Sequence, residues 1–311
     1  MGLTAGVEST GAGVNCGLYV CPVLGLRRRT GLEKKKENNM LSYLDLQCTK
    51  DMCDLTYKMW EKGWDEANGG NISCLLDPEE AAAITVYAQK DRRTYPMHNI
   101  PANVRGRSFL VSSTGSYFQY ISEQPQNLLG IVRIPEQGDH YEIVAGYAAG
   151  GRPTSEFEAH LRSHAERLKH NPKHHVIMHN HATAILTMTH CGPTTEKELT
   201  VALWRIISEA IILFPDGVGF LPWCVCGNEE IGIKTANLMA DHRIVLWQYH
   251  GVLTAGNDMR DAFGLLETVE KAAEVYVRAN ACANVNPGID NDGLKLLAKT
   301  FGVTPREGYL D

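Results

Sequence analysis

Val176-Ile177-Met178-His179-Asn180-His181-Ala182-Thr183 opens as an apolar, strand-like run and closes on two histidines one residue apart. Residues two apart on a strand point to the same face. His179 and His181 can therefore present two imidazoles side by side, as a divalent metal needs. A second strand-like run, Ile244-Val245-Leu246-Trp247-Gln248-Tyr249, leads to His250 and a third ring nitrogen. Three neutral imidazoles with one open position make the pattern of a catalytic zinc site rather than a structural one. The chain holds 12 histidines, however, and such a pair also arises by chance among satisfied or solvated side chains.

Composition narrows the field. A length of 311 residues is one large domain or two ordinary ones. An apolar content of 44% and a charged content of 21% are those of a soluble globular protein with ample chain for a core. A net charge of -6 gives no reason to expect nucleic acid or an anionic membrane as partner. The nine cysteines are odd in number, and no paired CxxC units occur. Cys224-Val225-Cys226 is too tight for an ordinary disulfide loop and lacks companion thiols for a metal site. A reduced, cytosolic chain is the expectation. No apolar run reaches the ~20 residues of a membrane helix. The run at 14–26 is followed, not preceded, by Arg27-Arg28-Arg29, the wrong order for a secretory signal.

Residues 1–39 are Gly-rich and then basic, without periodicity, and are expected to form a disordered extension; Met40 can serve as an alternative start. Residues 44–66 take a helical pattern, with Tyr57, Trp60 and Trp64 expected to pack on the core. Asn68-Gly69-Gly70-Asn71 then reads either as a plain turn or as a loop that points backbone N–H groups at a phosphate. Residues 77–107 form a polar excursion with one helical turn. Phe109-Leu110-Val111 is a strand that runs into the hydroxyl-rich turn Ser112-Ser113-Thr114-Gly115-Ser116. Leu129–Ile134 and Tyr141–Ala145 form a hairpin around Gly138.

Pro153-Thr154-Ser155-Glu156 precedes a helix, and Ser155 with Glu158 has capping-box spacing. The stripe Phe157, Leu161, Ala165 and Leu168 follows, and the helix N-terminus is a ready anion site for Thr154 and Ser155. Glu156 in the first turn reads equally as a simple complement to the helix dipole. Further helices are expected over 183–189, 195–210, 229–241, 261–281 and 291–300. Glu209 falls off the stripe Leu199, Leu203, Ile206 and Ala210 of the 195–210 helix, as a solvated surface charge does. Strands alternating with helices indicate an α/β domain, and the short turns favour a mixed, largely antiparallel sheet. No GxGxxG or Walker loop supports a nucleotide.

Asn68-Gly69-Gly70-Asn71, Pro153-Thr154-Ser155-Glu156, His179-Asn180-His181 and His250-Gly251 stand in an order that resembles the class II sugar-phosphate aldolases. Gly63-Trp64-Asp65-Glu66, Phe214-Pro215-Asp216-Gly217-Val218-Gly219 and Phe301-Gly302-Val303-Thr304-Pro305 extend the likeness over residues 40–308. The resemblance implies a three-layer α/β/α catalytic domain over 40–311 around a mixed, largely antiparallel sheet. It implies one Zn2+ per subunit on His179, His181 and His250. The implied reaction is a metal-dependent cleavage of L-rhamnulose 1-phosphate to dihydroxyacetone phosphate and L-lactaldehyde in rhamnose degradation. Glu156 matches the family's catalytic glutamate. Asn68, Gly70, Asn71, Thr114, Gly115, Thr154 and Ser155 match its phosphate-binding positions. Glu209 matches an acid that reaches a neighbouring subunit's site in a homotetramer. One departure is Ser113-Thr114-Gly115, where relatives tend to have Gly-Ser-Gly. Two rivals keep the fold: an epimerase or dehydratase on the same zinc, and a non-catalytic adducin-like binding domain.

Overall fold

The computed structural model describes residues 40–311, so the extension expected at 1–39 lies outside the described residues. In chain order the strands are β1 (Asn71–Leu75), β2 (Arg93–Pro96), β3 (Ser108–Ser112), β4 (Leu129–Arg133), β5 (His140–Gly146), β6 (Val176–Asn180), β7 (Val218–Leu221), β8 (Ile244–Trp247) and β9 (Gly251–Gly256). The helices are α1 (Gln47–Glu61), α2 (Pro78–Ala83), α3 (Phe118–Ile121), α4 (Pro125–Leu128), α5 (Phe157–His170), α6 (Thr183–Cys191), α7 (Glu196–Ile206), α8 (Ser208–Leu213), α9 (Glu229–Met239), α10 (Met259–Asn280) and α11 (Asn291–Phe301).

The strands form one sheet in the order β2-β5-β4-β3-β1-β6-β9-β8-β7. Only β7 and β8 pair in parallel among the described strands, so the sheet is mixed and largely antiparallel. Side-chain alternation then divides its two faces. Val176 and Met178 of β6, with Ile244 and Leu246 of β8, face the core shared with α1, α6, α7, α8, α10 and α11. Ile177 and Val245 turn the other way, into the core under α5 and α9. Helices therefore cover both faces, giving an α/β/α layering.

Several expectations need correction. The buried stripe of α1 is Met52, Leu55, Thr56 and Met59, while Tyr57 and Trp60 are 40% and 39% exposed. Positions i, i+3, i+4 and i+7 define the core-facing side, and the aromatic pair stands on the other side with rings 5.4 Å apart. Trp64 is buried but lies beyond the helix, after Gly63 at φ +71°. Strand β2 falls within the stretch expected to be a polar excursion and pairs with β5 at the sheet edge. The helix expected over 195–210 breaks at Ile207 into α7 and α8, which puts Glu209 in the first turn of a new helix. No helix among the described residues is long and apolar enough to cross a membrane.

Candidate metal centre and active site

Register brings the histidines together. β1 pairs with β6 so that Asn71 lies opposite His179, and β6 pairs with β9 so that Asn180 lies opposite Val252. His179 is the penultimate residue of β6, His181 follows the strand's end, and His250 closes the β8–β9 turn one residue before β9 begins. Tyr249 supports that turn at φ +61°, a left-handed conformation unusual for a bulky residue. The three rings converge with centroids 5.0, 5.2 and 5.3 Å apart, and one nitrogen from each lies within 4.8 Å of the others. Gly251 permits this approach. A Cβ there would stand 2.4 Å from the Asn180 carbonyl, 2.8 Å from His179 Cε1 and 2.9 Å from His181 Cδ2.

The outer partners of two rings fix which nitrogen faces inward. A carbonyl only accepts, so His179 Nδ1–H donates to Val252 O at 3.1 Å and leaves the Nε2 lone pair free. His181 Nδ1–H donates to Glu66 Oε1 at 2.7 Å, with the same consequence. Both Nε2 atoms are buried without a hydrogen-bond partner. Burial, and then the neighbouring rings, push His179 well below the usual imidazole range; burial and His181 push His250 down to about 4. Three converging ring nitrogens, two of them buried and unpartnered, fit a divalent cation.

Glu156 caps α5 and faces this cluster. Its Oε2 lies 3.6 Å from His179 Nε2 and its Oε1 3.5 Å from His250 Nε2. Burial raises its carboxyl above the usual range, while a hydrogen bond from Asn71 opposes that shift. The capping box expected at Ser155 is not formed. The helix starts at Phe157, Thr154 Oγ1 accepts the Glu156 N–H at 3.2 Å, and Glu158 is held by Arg162 instead.

Behind Glu156 runs a buried polar chain that the sequence reading missed. Asn71 Nδ2 donates to Glu156 Oε2 at 2.8 Å, so Asn71 Oδ1 must accept from His160 Nε2–H. Burial drives His160 down to about 3, which keeps its ring neutral with Nδ1 bare. Nδ1 then accepts from the Ser73 hydroxyl at 2.8 Å, and Ser73 Oγ accepts from His164 Nε2–H at 2.8 Å. Every proton is placed once, and each donor points toward the carboxylate. The signal was present in the sequence. Glu156, His160 and His164 stand four apart on one helix face, and Asn71 and Ser73 stand two apart on one strand face.

The three loops matched to phosphate positions meet at the same end of the sheet. Ile72 N–H donates to Ser112 Oγ at 3.0 Å, and an antiparallel bridge joins Ser113 to Pro153. Ser113 needs no left-handed backbone; that conformation falls on Gly115 at φ +71°. The Thr114 N–H is committed to Arg152 O at 2.9 Å and the Thr154 N–H to Ser112 O at 3.0 Å, so their free donors are hydroxyls. Both ends of the Asn71 amide are engaged by Glu156 and His160. Gly70 is required by packing, since a Cβ there would meet Asp65 Oδ1 at 1.9 Å and the Phe118 ring at 2.7 Å. Asn68, Gly115 and Ser155 are exposed.

Glu209 is not brought to its own chain's cluster. It is exposed and lines a separate cavity of about 830 Å³ with Lys62, Trp64, Glu267 and Glu270, which none of the three imidazoles reaches.

Residues 50–277 match the family described as class II aldolase and adducin N-terminal domain. The chain belongs to that family. It is 42% identical to the rhamnulose-1-phosphate aldolase of Listeria welshimeri over 274 residues, covering 87% of this chain and 98% of that protein. The rhamnulose-1-phosphate aldolase of Enterococcus faecalis is 40% identical over 271 residues, covering 87% and 97%. Among solved structures, a sugar-phosphate aldolase from Thermotoga maritima superposes with a TM-score of 0.66 at 30% identity, covering 78% of this chain and 98% of that one. An L-fuculose 1-phosphate aldolase shares the class II aldolase fold with a TM-score of 0.57 at 20% identity, covering 85% and 99%.

Proposed function

We propose that the protein cleaves L-rhamnulose 1-phosphate to dihydroxyacetone phosphate and L-lactaldehyde, as a Zn2+-dependent aldolase of rhamnose degradation. The observation that carries this reading is the convergence of three imidazoles with a buried carboxylate 3.5–3.6 Å from two of them. His179, His181 and His250 hold the cation. When bound, it supplies Lewis-acid stabilisation of the negative charge that develops as the C3–C4 bond breaks. Glu156 moves the proton at C3: as the acid it delivers that proton after cleavage, and as carboxylate it removes it in the reverse direction. Burial against one donated hydrogen bond suits a group that works in both forms. Asn68, Gly70, Asn71, Thr114, Gly115, Thr154 and Ser155 surround the phosphate, with hydroxyls and loop amides in place of lysines.

Glu209 serves the site of a neighbouring subunit in a homotetramer, where it exchanges the proton of the C4 oxygen. Its exposure, on a cavity that its own chain's three imidazoles do not line, supports a role across a subunit boundary. Seven described cysteines, all free, support a reducing compartment such as the cytoplasm.

The test is release of lactaldehyde and dihydroxyacetone phosphate from rhamnulose 1-phosphate by purified protein, with metal analysis of the same sample. Epimerisation without cleavage would overturn the aldolase reading. A protein that holds no divalent ion and turns over nothing would favour a binding domain.

A further inference from the structure

Cys224-Val225-Cys226 lies between β7 and α9 and has no part in the reaction above. Its second thiol nonetheless stands beside the three-imidazole cluster, next to Glu156 and His250. Cys226 Sγ, a Glu156 carboxylate oxygen and a His250 ring nitrogen all lie within 4.8 Å of one another, and this group shares His250 with the three imidazoles. The loop is pinned where it matters. Trp223 N–H donates to Gln248 Oε1 at 3.1 Å, tying the loop to the turn that presents His250. Asn228 Oδ1 accepts from Ile231 N–H at 3.1 Å and caps α9. Between them Gly227 turns at φ +74° and passes Ser155, where an added Cβ would lie 3.9 Å away. Cys226 thus enters from the loop side, while the buried, unpartnered Nε2 atoms of His179 and His181 enter from the sheet. Thiolate and imidazole together are a donor set that zinc and cobalt favour.

We propose that Cys226 is a fourth protein donor to the cation held by His179, His181 and His250, filling the open coordination position while substrate is absent. Forming the metal–sulfur bond releases the Sγ proton to solvent and one water from the hydrated cation. Substrate oxygens then compete with a protein ligand rather than with water alone. The inference rests on the metal reading of the three histidines.

The full-length protein, stripped with chelator and reloaded with Co2+, gives the test. Thiolate ligation adds an intense near-ultraviolet sulfur-to-cobalt charge-transfer band that imidazole, carboxylate and water do not produce. The band is expected in wild type and in Cys224→Ser, and absent from Cys226→Ser, with one Co2+ bound in all three. Competition with a chromophoric chelator should show Cys226→Ser binding Zn2+ more weakly, by roughly the 10–100-fold that loss of a metal ligand's partner costs. One bound Co2+ without the band in wild type, or a band that survives in Cys226→Ser, overturns the thiol ligand and leaves the imidazole site standing. No Co2+ bound to a folded protein overturns both.

Discussion

His160→Leu tests whether the buried chain behind Glu156 sets the behaviour of the proposed base. His160 is fully buried and carries two hydrogen bonds, one donated to Asn71 Oδ1 and one accepted from Ser73 at 2.8 Å. Leucine fills similar space but leaves Asn71 Oδ1 and the Ser73 hydroxyl proton buried and unpaired. At roughly 1–3 kcal/mol per orphaned group the stability loss is about 2–6 kcal/mol, partly offset by the added apolar burial. The kinetic consequence follows from Asn71. Without the His160 N–H, nothing fixes which end of the Asn71 amide faces Glu156, and a rotated amide sets an oxygen against a carboxylate. Losing one hydrogen bond to a charged group costs roughly 1.5–3 kcal/mol, a factor of about 10–150 in kcat. KM should change little, because His160 meets the residues assigned to phosphate only through the Asn71 side chain, whose amide is turned to Glu156. His160→Gln, whose amide can still donate, should recover part of the loss. Steady-state cleavage kinetics and urea unfolding of metal-loaded protein give both numbers. A folded, metal-replete His160→Leu with wild-type kcat would refute the reasoning. An Asn amide does not pass a proton along readily, so the chain is expected to orient the carboxylate rather than conduct protons from it.

Glu156→Gln keeps an acceptor for Asn71 but cannot carry a proton, so kcat should fall roughly 10²–10⁴-fold while metal content stays at the wild-type level. His181→Ala should lose cation and turnover together, as metal analysis beside the cleavage assay will show. Gly251→Ala removes no donor, yet its Cβ would stand 2.4 Å from the Asn180 carbonyl and under 3 Å from two imidazoles. Weaker Zn2+ binding is expected in a chelator competition, and an unchanged affinity would mean that the strands yield without moving the rings. In metal-free protein, His160 and His164 are held below their ordinary range by burial, so the unfolded chain binds protons that the folded one does not. Their contribution is complete above pH ~6.5 and is lost as pH falls, down to about 3 for His160, by roughly 1.4 kcal/mol per pH unit for each ring, while the raised carboxyls of Glu156 and Glu270 act in the opposite direction. Urea midpoints that stay level between pH 7 and pH 5 would contradict this.

The proposed metal ligands were legible because two stand two apart in sequence and share a strand period. The third was legible only as a histidine at a strand end. Its meeting with the others depends on the β6–β9 register and on Tyr249 in a left-handed turn, neither of which the local sequence encodes. Aromatic content misled at Tyr57 and Trp60, since helix phase and not ring size decides burial. The break at Ile207 was hidden because Leu199, Leu203 and Ala210 keep an apolar period across it, and all three are buried. The polar chain was missed for the opposite reason. Histidine, serine and asparagine default to surface positions, and only their joint spacing on α5 and β1 marks them as one buried set.

The site sits where it does because of how strand ends add up. Asn71 begins β1, Ser112 ends β3, Asn180 ends β6 and Gly251 begins β9. Antiparallel pairing of β1 with β3 and β6, and of β6 with β9, carries all four ends to one edge of the sheet. Beyond that edge the backbone leaves the ladder, so loop amides and hydroxyls are released just where the imidazoles emerge. The α5 face supplies what the sheet cannot: a carboxylate at its N-cap, with two further histidines one and two turns behind it. A one-residue slip between β1 and β6 would turn Asn71 to the α1 side and empty the face opposite His179. Catalytic competence in this family member is therefore as much a property of strand register as of the histidines themselves, which is why Gly251, with no side chain and no chemistry, belongs to the site.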